Sequence, residues 1–180
     1  MKRLVLLFAL VISASFLFAQ VNNENSGLSR KEKRKAEIEK NFQITRQMLE
    51  NKNFVLETNW LQDRYGFRVP VVSMINFVSV DSTKAIIQIG SNSRIGPNGV
   101  GGVTARGDIT KWELNENEKN KTFTLRINVM TPIGIYDLFF DIGASGQSTA
   151  LLTGLSSGRL TFDGNLVPHS KASVYVGRSI

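Results

Sequence analysis

Carboxylates on a strand-like segment are the side chains of this chain best suited to acid–base chemistry. Asp137 and Asp141 lie four residues apart in a segment of two-residue periodicity. At about 3.3 Å per residue they share one face of a strand but stand roughly 13 Å apart, whereas the two carboxyl groups of a glycosidase stand about 5–9.5 Å apart. These two residues therefore form no acid–base pair on their own. A hydrolase would need Glu113 or Asp163 from a neighbouring strand, and the sequence leaves that pairing open.

Other common catalytic and metal-binding groups are scarce. The 180 residues include no cysteine and a single histidine, His169. This composition excludes disulfides, thiol nucleophiles, cysteine-built metal sites and mechanisms that need two imidazoles. His169 follows the last predicted strand, and no Gly-x-Ser-x-Gly nucleophile motif accompanies it. We therefore assign no catalytic residue and no metal ligand, and we expect no cofactor.

A glycine-rich segment, residues 91–102, lies between two predicted strands. A phosphate-binding loop would instead lead from a strand into a helix, so this segment is not predicted to bind nucleotides. Two interpretations stay open. The segment is either a long flexible connection or a rim loop over the mouth of a barrel, where Arg94 and Arg106 would offer positive charge to an anionic ligand.

Aromatic and arginine side chains cluster in residues 60–70, where Trp60, Tyr65, Phe67 and Arg68 lie close together in sequence. Such a group suits a carbohydrate or peptide platform, on which rings stack and arginine binds carboxylates. The same residues also suit a packed loop that closes the core, and both interpretations stay open. As a ligand-binding surface, the group would consist of Trp60, Tyr65 and Arg68.

Positive charge is concentrated in residues 30–52, which hold eight basic and four acidic side chains. The densest group, the basic cluster, comprises Lys31, Lys33, Arg34 and Lys35. It is either a solvated first part of a helix or a surface that docks onto anionic lipid headgroups, polysaccharide or protein. We expect no nucleic-acid partner, because no aromatic residues interleave with these charges.

The first 19 residues have the pattern of a secretory signal peptide. A basic start, Lys2 and Arg3, precedes an uncharged and mostly apolar run at residues 4–18, which leads to the small residue Ala19 at the expected cleavage site. The run is shorter than the roughly 20 residues of a membrane-spanning helix, so we expect no transmembrane span in the mature chain. We predict export to the periplasm, the cell envelope or the medium, with a flexible linker at residues 20–28.

The next segment, residues 29–51, is predicted to form an amphipathic helix. Ser29 and Glu32 have the spacing of a capping box. An apolar stripe at helical spacing follows, made of Ile38, Phe42, Thr45 and Met48 or Leu49.

After residue 53 the periodicity changes to two, so that Phe54, Leu56, Thr58 and Trp60 are predicted to share one face of a strand. About eight strands are predicted in all, and their short connections force neighbouring strands to be antiparallel. We predict a mainly β (α+β) fold in one domain over residues 29–180. Its antiparallel meander would close as a barrel or fold as a two-layer sandwich, with the helix packed against it.

Three segments resemble a known family. They are residues 53–57 (Asn-Phe-Val-Leu-Glu), 99–107 (Gly-Val-Gly-Gly-Val-Thr-Ala-Arg-Gly) and 157–164 (Ser-Gly-Arg-Leu-Thr-Phe-Asp-Gly). With the leader and the Lys/Glu-rich helix, they resemble the secreted family catalogued as domain of unknown function 4251, found in Bacteroides-type Gram-negative bacteria. The resemblance covers residues 30–168 and implies export and a single β-rich domain, with no assigned catalytic residue. The tripeptide Asp-Ser-Thr at a predicted hairpin also resembles the short O-glycan acceptor pattern of these bacteria, with Ser82 as the acceptor.

The leading hypothesis is an exported, non-catalytic binding or envelope-associated domain. Its partner would be a small apolar or anionic ligand or an envelope glycan. Two alternatives stay open: the carboxylate-based glycan hydrolase, and a structural protein that docks through the basic cluster. A filled interior would argue against a small ligand inside a barrel, and two carboxylates that converge in a cleft would favour the hydrolase.

Overall fold

The structure is a computed structural model that describes residues 29–90, 101–154 and 158–179. The predicted signal peptide and linker, and Arg94, lie outside the described residues. The chain divides into two compact units, Met1–Ile38 and Glu39–Ile180. The described part of the first unit is the start of a helix, and the second unit contains the rest of that helix and a β-sheet.

Helix α1 spans Arg30–Glu50 and begins with the predicted capping box. The Ser29 N–H donates to Glu32 Oε2 at 2.7 Å, and the Glu32 N–H donates to Ser29 Oγ at 3.3 Å. Hydrogen bonds from the Ser29 side chain and from its backbone N–H lower the pKa of the Glu32 carboxyl. Because the folded-state pKa is lowered, the cap is intact above the ordinary glutamate pKa and is lost as the pH falls through the lowered value.

Burial along α1 begins later than the sequence predicts. Residues 30–40 are all exposed, and Ile38, which was expected in the buried stripe, is 40 % exposed. Ile38 is the last residue of the first compact unit. The buried side chains of α1 all belong to the second unit, and they are Phe42, Thr45, Met48 and Leu49. Within the described ranges, no helix is both long enough and apolar enough to cross a membrane.

The described residues form nine strands, each antiparallel to its neighbours. They are β1 (Asn53–Asp63), β2 (Arg68–Pro70), β3 (Phe77–Asp81), β4 (Lys84–Ile89), β5 (Val103–Asn117), β6 (Thr122–Thr131), β7 (Gly134–Gly143), β8 (Gln147–Thr153) and β9 (Arg159–Pro168). Single-turn 3₁₀ helices lie at Ser73–Ile75 and His169–Lys171. The sequence predicted every strand except the three-residue β2.

Eight of these strands close into a barrel. The sheet runs in sequence order from β3 to β9, and β1 pairs with β3 on one side and with β9 on the other. Strand β2 pairs with β1 at residues 60–62, beyond the last β1–β3 pair. Closure gives each of the eight strands a paired neighbour on both sides, and it decides between the two predicted architectures in favour of the barrel.

The barrel interior is filled by alternate side chains of its strands. Phe54, Phe140 and Phe162 are fully buried, and the first two meet edge to face with ring centroids 6.0 Å apart. On β6, inward Phe123 and Leu125 alternate with outward Thr124 and Arg126, as the sequence predicts. Protein side chains occupy the centre of the barrel, which argues against a small ligand bound there.

The end of the barrel next to the β5–β6 turn is closed by the second half of α1. Phe42 is fully buried and stacks on Phe123 with ring centroids 4.7 Å apart. Two cations lie over the Phe42 ring, Arg46 at 5.0 Å and Lys121 at 4.7 Å. Arg46 also forms an ion pair with Glu116 on β5. This side of α1 is therefore held by aromatic stacking, cation–π contacts and a salt bridge together.

A β-bulge at Asn59 changes which way Trp60 points. Thr58 pairs with Gly164 and Trp60 pairs with Asp163, so Asn59 is the extra residue on β1. Thr58 and Leu61 are buried, whereas Trp60 is 40 % exposed. The prediction that Trp60 shares a strand face with Phe54, Leu56 and Thr58 was wrong, because the bulge shifts the alternation by one residue.

The C-terminal segment, residues 172–179, crosses the outer face of the sheet without forming a strand, and buried Gln88 holds it there. The Gln88 side chain is fully buried and makes four hydrogen bonds. Their partners are Ile75 O at 3.2 Å, Tyr175 O at 2.8 Å, Thr104 Oγ1 at 3.0 Å and Gly177 N at 2.8 Å. The amide of Gln88 therefore links β4 and β5 to the C-terminal segment.

Replacing Gln88 with leucine is expected to lower the free energy of unfolding by about 2–3 kcal/mol, because four buried or half-buried groups lose a hydrogen bond to Gln88. Urea denaturation measures the loss, and limited proteolysis should cut within residues 172–179 sooner than in the wild type. The matched control is Gln147→Leu, at an exposed glutamine on β8, which should change stability by less than about 0.5 kcal/mol. Equal losses in both variants would contradict this assignment.

Candidate functional site

Strands β1 and β2 form a hairpin that carries the aromatic and arginine residues singled out in the sequence. Tyr65 is 78 % exposed, Phe67 70 % and Trp60 40 %. These side chains do not close the core, so the packed-loop interpretation was wrong. Register places Trp60 and Arg68 on the outer face of the hairpin, with Tyr65 in the connecting turn. We call Trp60, Tyr65 and Arg68 the hairpin platform.

The turn of this hairpin is held by a dense set of hydrogen bonds. Asp63 Oδ1 accepts the N–H groups of Tyr65 and Phe67, both at 2.9 Å. The Asp63 N–H donates to Phe67 O at 3.0 Å. Gly66 has φ of +89°, a conformation that glycine adopts at little cost, and its carbonyl accepts from Gln62 Nε2 at 3.1 Å. The exposed rings therefore sit on a well-fixed backbone.

Arginines hold the rings of the hairpin platform in place. The Arg68 guanidinium lies 4.7 Å from the centroid of the Trp60 ring and forms an ion pair with Asp163 on β9. Arg64 lies 4.6 Å from the centroid of the Tyr65 ring. Residues of β1, β2 and β9 thus fix one another's orientation, which is the preorganisation that a binding surface needs. The sequence did not reveal the role of Asp163 as the partner of Arg68.

A second surface lies on the outside of β4, β5 and β6. It is an open cleft of about 630 Å³, the outer groove. Arg106, which the rim-loop interpretation placed at the barrel mouth, lines this cleft because it alternates with buried Ala105 on β5. The other lining residues are Lys84, Ala85, Ile86, Gly107, Asp108, Met130, Thr131 and Pro132.

Three of the four carboxylates considered for hydrolysis are engaged with a basic side chain. These pairs are Glu113–Lys111 at 2.9 Å, Asp137–Arg126 at 3.9 Å and Asp163–Arg68. The fourth, Asp141, is exposed on β7. Carboxylates held in this way serve as ion-pair partners on the barrel surface.

Asp141 and Asp163 are two strands apart. Both pair with Thr149 of β8, one from each side. With neighbouring strands about 4.8 Å apart, their backbones are separated by roughly 10 Å. This backbone separation is too long for the roughly 5–5.5 Å of a retaining glycosidase pair and lies close to the roughly 6.5–9.5 Å of an inverting pair. Asp163, however, is already engaged by Arg68.

The remaining candidates are solvent-exposed. The basic cluster (Lys31, Lys33, Arg34 and Lys35) lies in the exposed first part of α1. Ser82 sits at the tip of the β3–β4 turn, with φ of +56°, and its hydroxyl donates to Asp81 Oδ1 at 3.2 Å. His169 is exposed in the second 3₁₀ helix. Across the part of the chain that the structure describes, no three acidic or histidine side chains come together as metal ligands.

Comparison with known proteins gives one family and a matching fold. The family model described as domain of unknown function (DUF4251) matches residues 36–166. A crystal structure of a DUF4251 family protein from Bacteroides eggerthii DSM 20697 superimposes with a TM-score of 0.62 at 24 % sequence identity. The alignment covers 73 % of this chain and 90 % of that one. No curated protein matches the chain. The family model spans most of the barrel and the second half of α1, and the chain belongs to the DUF4251 family.

Proposed function

We propose that this protein is a non-catalytic binding domain of the bacterial cell envelope and that it binds envelope glycan through the hairpin platform. The observation that carries the proposal is the outward turn of Trp60 at the Asn59 bulge. Bulges often re-aim a side chain next to a functional site, and this one places an indole ring on the surface beside Arg68.

The chemistry of the hairpin platform suits a sugar chain. Sugar rings present apolar C–H faces that stack on indole and phenol rings, and they present hydroxyls that need polar partners beside those rings. Arg68 and Asp163 supply donors and acceptors next to Trp60. An exposed and rigid aromatic group of this kind loses little conformational entropy on binding.

A non-catalytic role is supported by the placement of the carboxylates. Glycoside hydrolysis needs one carboxylic acid with a raised pKa, which burial or a second nearby carboxylate provides. Glu113, Asp137 and Asp163 instead each face a cation at the barrel surface. Export by a signal peptide at residues 1–19 would deliver the domain to the compartment where such glycans are found.

Cosedimentation with purified peptidoglycan sacculi tests this proposal. The wild type should pellet with sacculi in a saturable manner, and Trp60→Ala and Tyr65→Ala should each weaken binding by about tenfold, the effect of one lost stacking contact. Tyr175→Ala is the matched control, because Tyr175 is also exposed (61 %) but lies on the C-terminal segment. Binding that is absent in the wild type, or reduced equally by Tyr175→Ala, would refute the proposal.

A further inference from the structure

The outer groove has the dimensions and lining of a site for a small amphiphile. Its volume of about 630 Å³ falls within the roughly 300–1,000 Å³ of small-molecule sites. The apolar residues Ile86, Met130 and Pro132 line it together with Arg106. An apolar lining with a small number of polar groups is the usual composition of a ligand site.

The groove lies where two strand pairs diverge. Strand β5 pairs with β4 from Val103 to Asp108, whereas its pairing with β6 begins only at the Asp108–Met130 pair. Directly after Met130, β6 ends at Thr131 and the chain turns through Pro132 into β7. Gly107 lies so close to the Met130 carbonyl that a Cβ at this position would overlap it. Arg106, Gly107 and Met130 all line this cleft.

Charge in the outer groove favours an anion. Lys84 and Asp108 neutralise each other in an ion pair. Arg106 has no carboxylate partner among the described residues, and its hydrogen bond to Gly177 O is long, at 3.4 Å. Since a guanidinium carries five N–H donors, Arg106 retains donors for a carboxylate bound in the groove.

Apolar side chains continue beyond the groove without cover. Met130 is 52 % exposed, and its cross-strand neighbour Ile135 is 46 % exposed. Ile133, in the turn between them, is 41 % exposed. A contiguous exposed apolar patch on a soluble domain indicates a binding surface, and an alkyl chain laid along it would cover these residues.

We propose that the outer groove binds a small free amphiphile with a single carboxylate, such as a medium-chain fatty acid. The alkyl chain lies on Ile86, Met130 and Pro132, and the carboxylate accepts hydrogen bonds from Arg106. This site is separate from the hairpin platform and does not depend on glycan binding.

Titration of the purified protein with octanoate and 1-octanol, followed by amide NMR signals, tests the proposal. The two probes share their alkyl chain length and differ in the charged head. Octanoate should bind about tenfold more tightly than octanol, because only the carboxylate forms charge-assisted hydrogen bonds. Signals of Ile86, Arg106 and Met130 should shift first. Equal affinities, shifts confined to other residues, or no saturable binding would overturn the proposal.

Substitutions test the charged part and the apolar part of the groove separately. Arg106→Gln should bring octanoate affinity down to that of octanol, and Met130→Glu should weaken both probes. Arg126→Gln is the matched control, an exposed arginine on β6 four residues, or about 13 Å, from Met130, and it should bind both probes as the wild type does. If Met130→Glu folds poorly, comparing octanoate with octanol in Arg106→Gln still tests the proposal. Unchanged octanoate affinity in Arg106→Gln would overturn the assignment.

A lipid bilayer has the same chemistry as the free amphiphile, an anionic group beside an alkyl chain. Vesicles of dioleoylphosphatidylglycerol present an anionic headgroup and apolar chains together. The proposal commits to the free amphiphile, because the groove volume of about 630 Å³ is that of a site for one small molecule. Two results together would contradict the proposal: binding to these vesicles that octanoate does not displace, and no binding of octanoate itself.

Discussion

Replacing Phe42 with alanine is expected to lower the free energy of unfolding by about 3–5 kcal/mol, the usual cost of removing a buried aromatic side chain. Phe42 is fully buried and stacks on Phe123. The cations of Arg46 and Lys121 also lose the ring over which they lie. Because α1 closes this end of the barrel, the loss should also weaken the ion pair between Arg46 and Glu116. Urea denaturation followed by circular dichroism measures the change.

The control for Phe42→Ala is Phe139→Ala on β7. Phe139 is 42 % exposed on the outer face of the barrel, so its removal should cost less than about 1 kcal/mol. A loss for Phe42→Ala no larger than that of the control would mean that α1 does not close the barrel through this residue.

Replacing Gly164 with alanine is expected to cost about 3 kcal/mol, the upper part of the usual range for steric overpacking. Gly164 lies at the seam where β9 meets β1, opposite Thr58. A Cβ at this position would overlap the Glu57 carbonyl and come within 2.9 Å of Thr58 Cα. Backbone atoms cannot rotate away as a side chain can, so the seam must shift. The melting temperature should fall by about 6–12 °C.

Gly143→Ala is the matched control for the seam. Its added Cβ would meet Gln147 O at 3.5 Å, an ordinary van der Waals contact, so the melting temperature should change little. Similar melting temperatures for the two variants would show that the β1–β9 seam tolerates a methyl group. The barrel closure described above would then be in error.

Local patterns predicted much of this fold. The capping box needs only Ser29 and Glu32, three residues apart, and both of its hydrogen bonds form. The inward and outward faces of β6 follow directly from two-residue alternation. Short connections also sufficed to predict antiparallel neighbours. These features depend on residues close in sequence, which is why a single sequence reveals them.

Features that depend on pairing between distant segments were missed or left open. The bulge at Asn59 is defined by which residues of β9 oppose β1, and nothing in the local sequence marks it. Strand β2 has only three residues, too few for a periodic signal. Closure of the barrel requires β1 to pair with β9, about a hundred residues later, so periodicity could not separate a barrel from a sandwich.

The sequence predicted which residues form the candidate site but not how they are arranged in space. The sequence grouped Trp60, Tyr65 and Arg68 but could not tell a packed loop from an exposed platform. Asp163, the ion-pair partner of Arg68, lies 95 residues away along the chain. Arg106 was singled out for its charge, yet its cleft is assembled from three strands. Contacts of this kind follow from the closed sheet, and no spacing rule within one segment encodes them.

Fluorescence of Trp60 in a Trp112→Phe variant measures both the exposure of the hairpin platform and its binding of glycan, because the chain has two tryptophans and this change leaves Trp60 as the single tryptophan fluorophore. We expect emission typical of a water-exposed indole and efficient quenching by acrylamide. Adding soluble peptidoglycan fragments should cause a saturable blue shift and protect the indole from quenching. Emission typical of a buried indole would contradict the outward turn of Trp60 at the bulge. An exposed indole that does not respond to the fragments would contradict glycan binding at the hairpin platform.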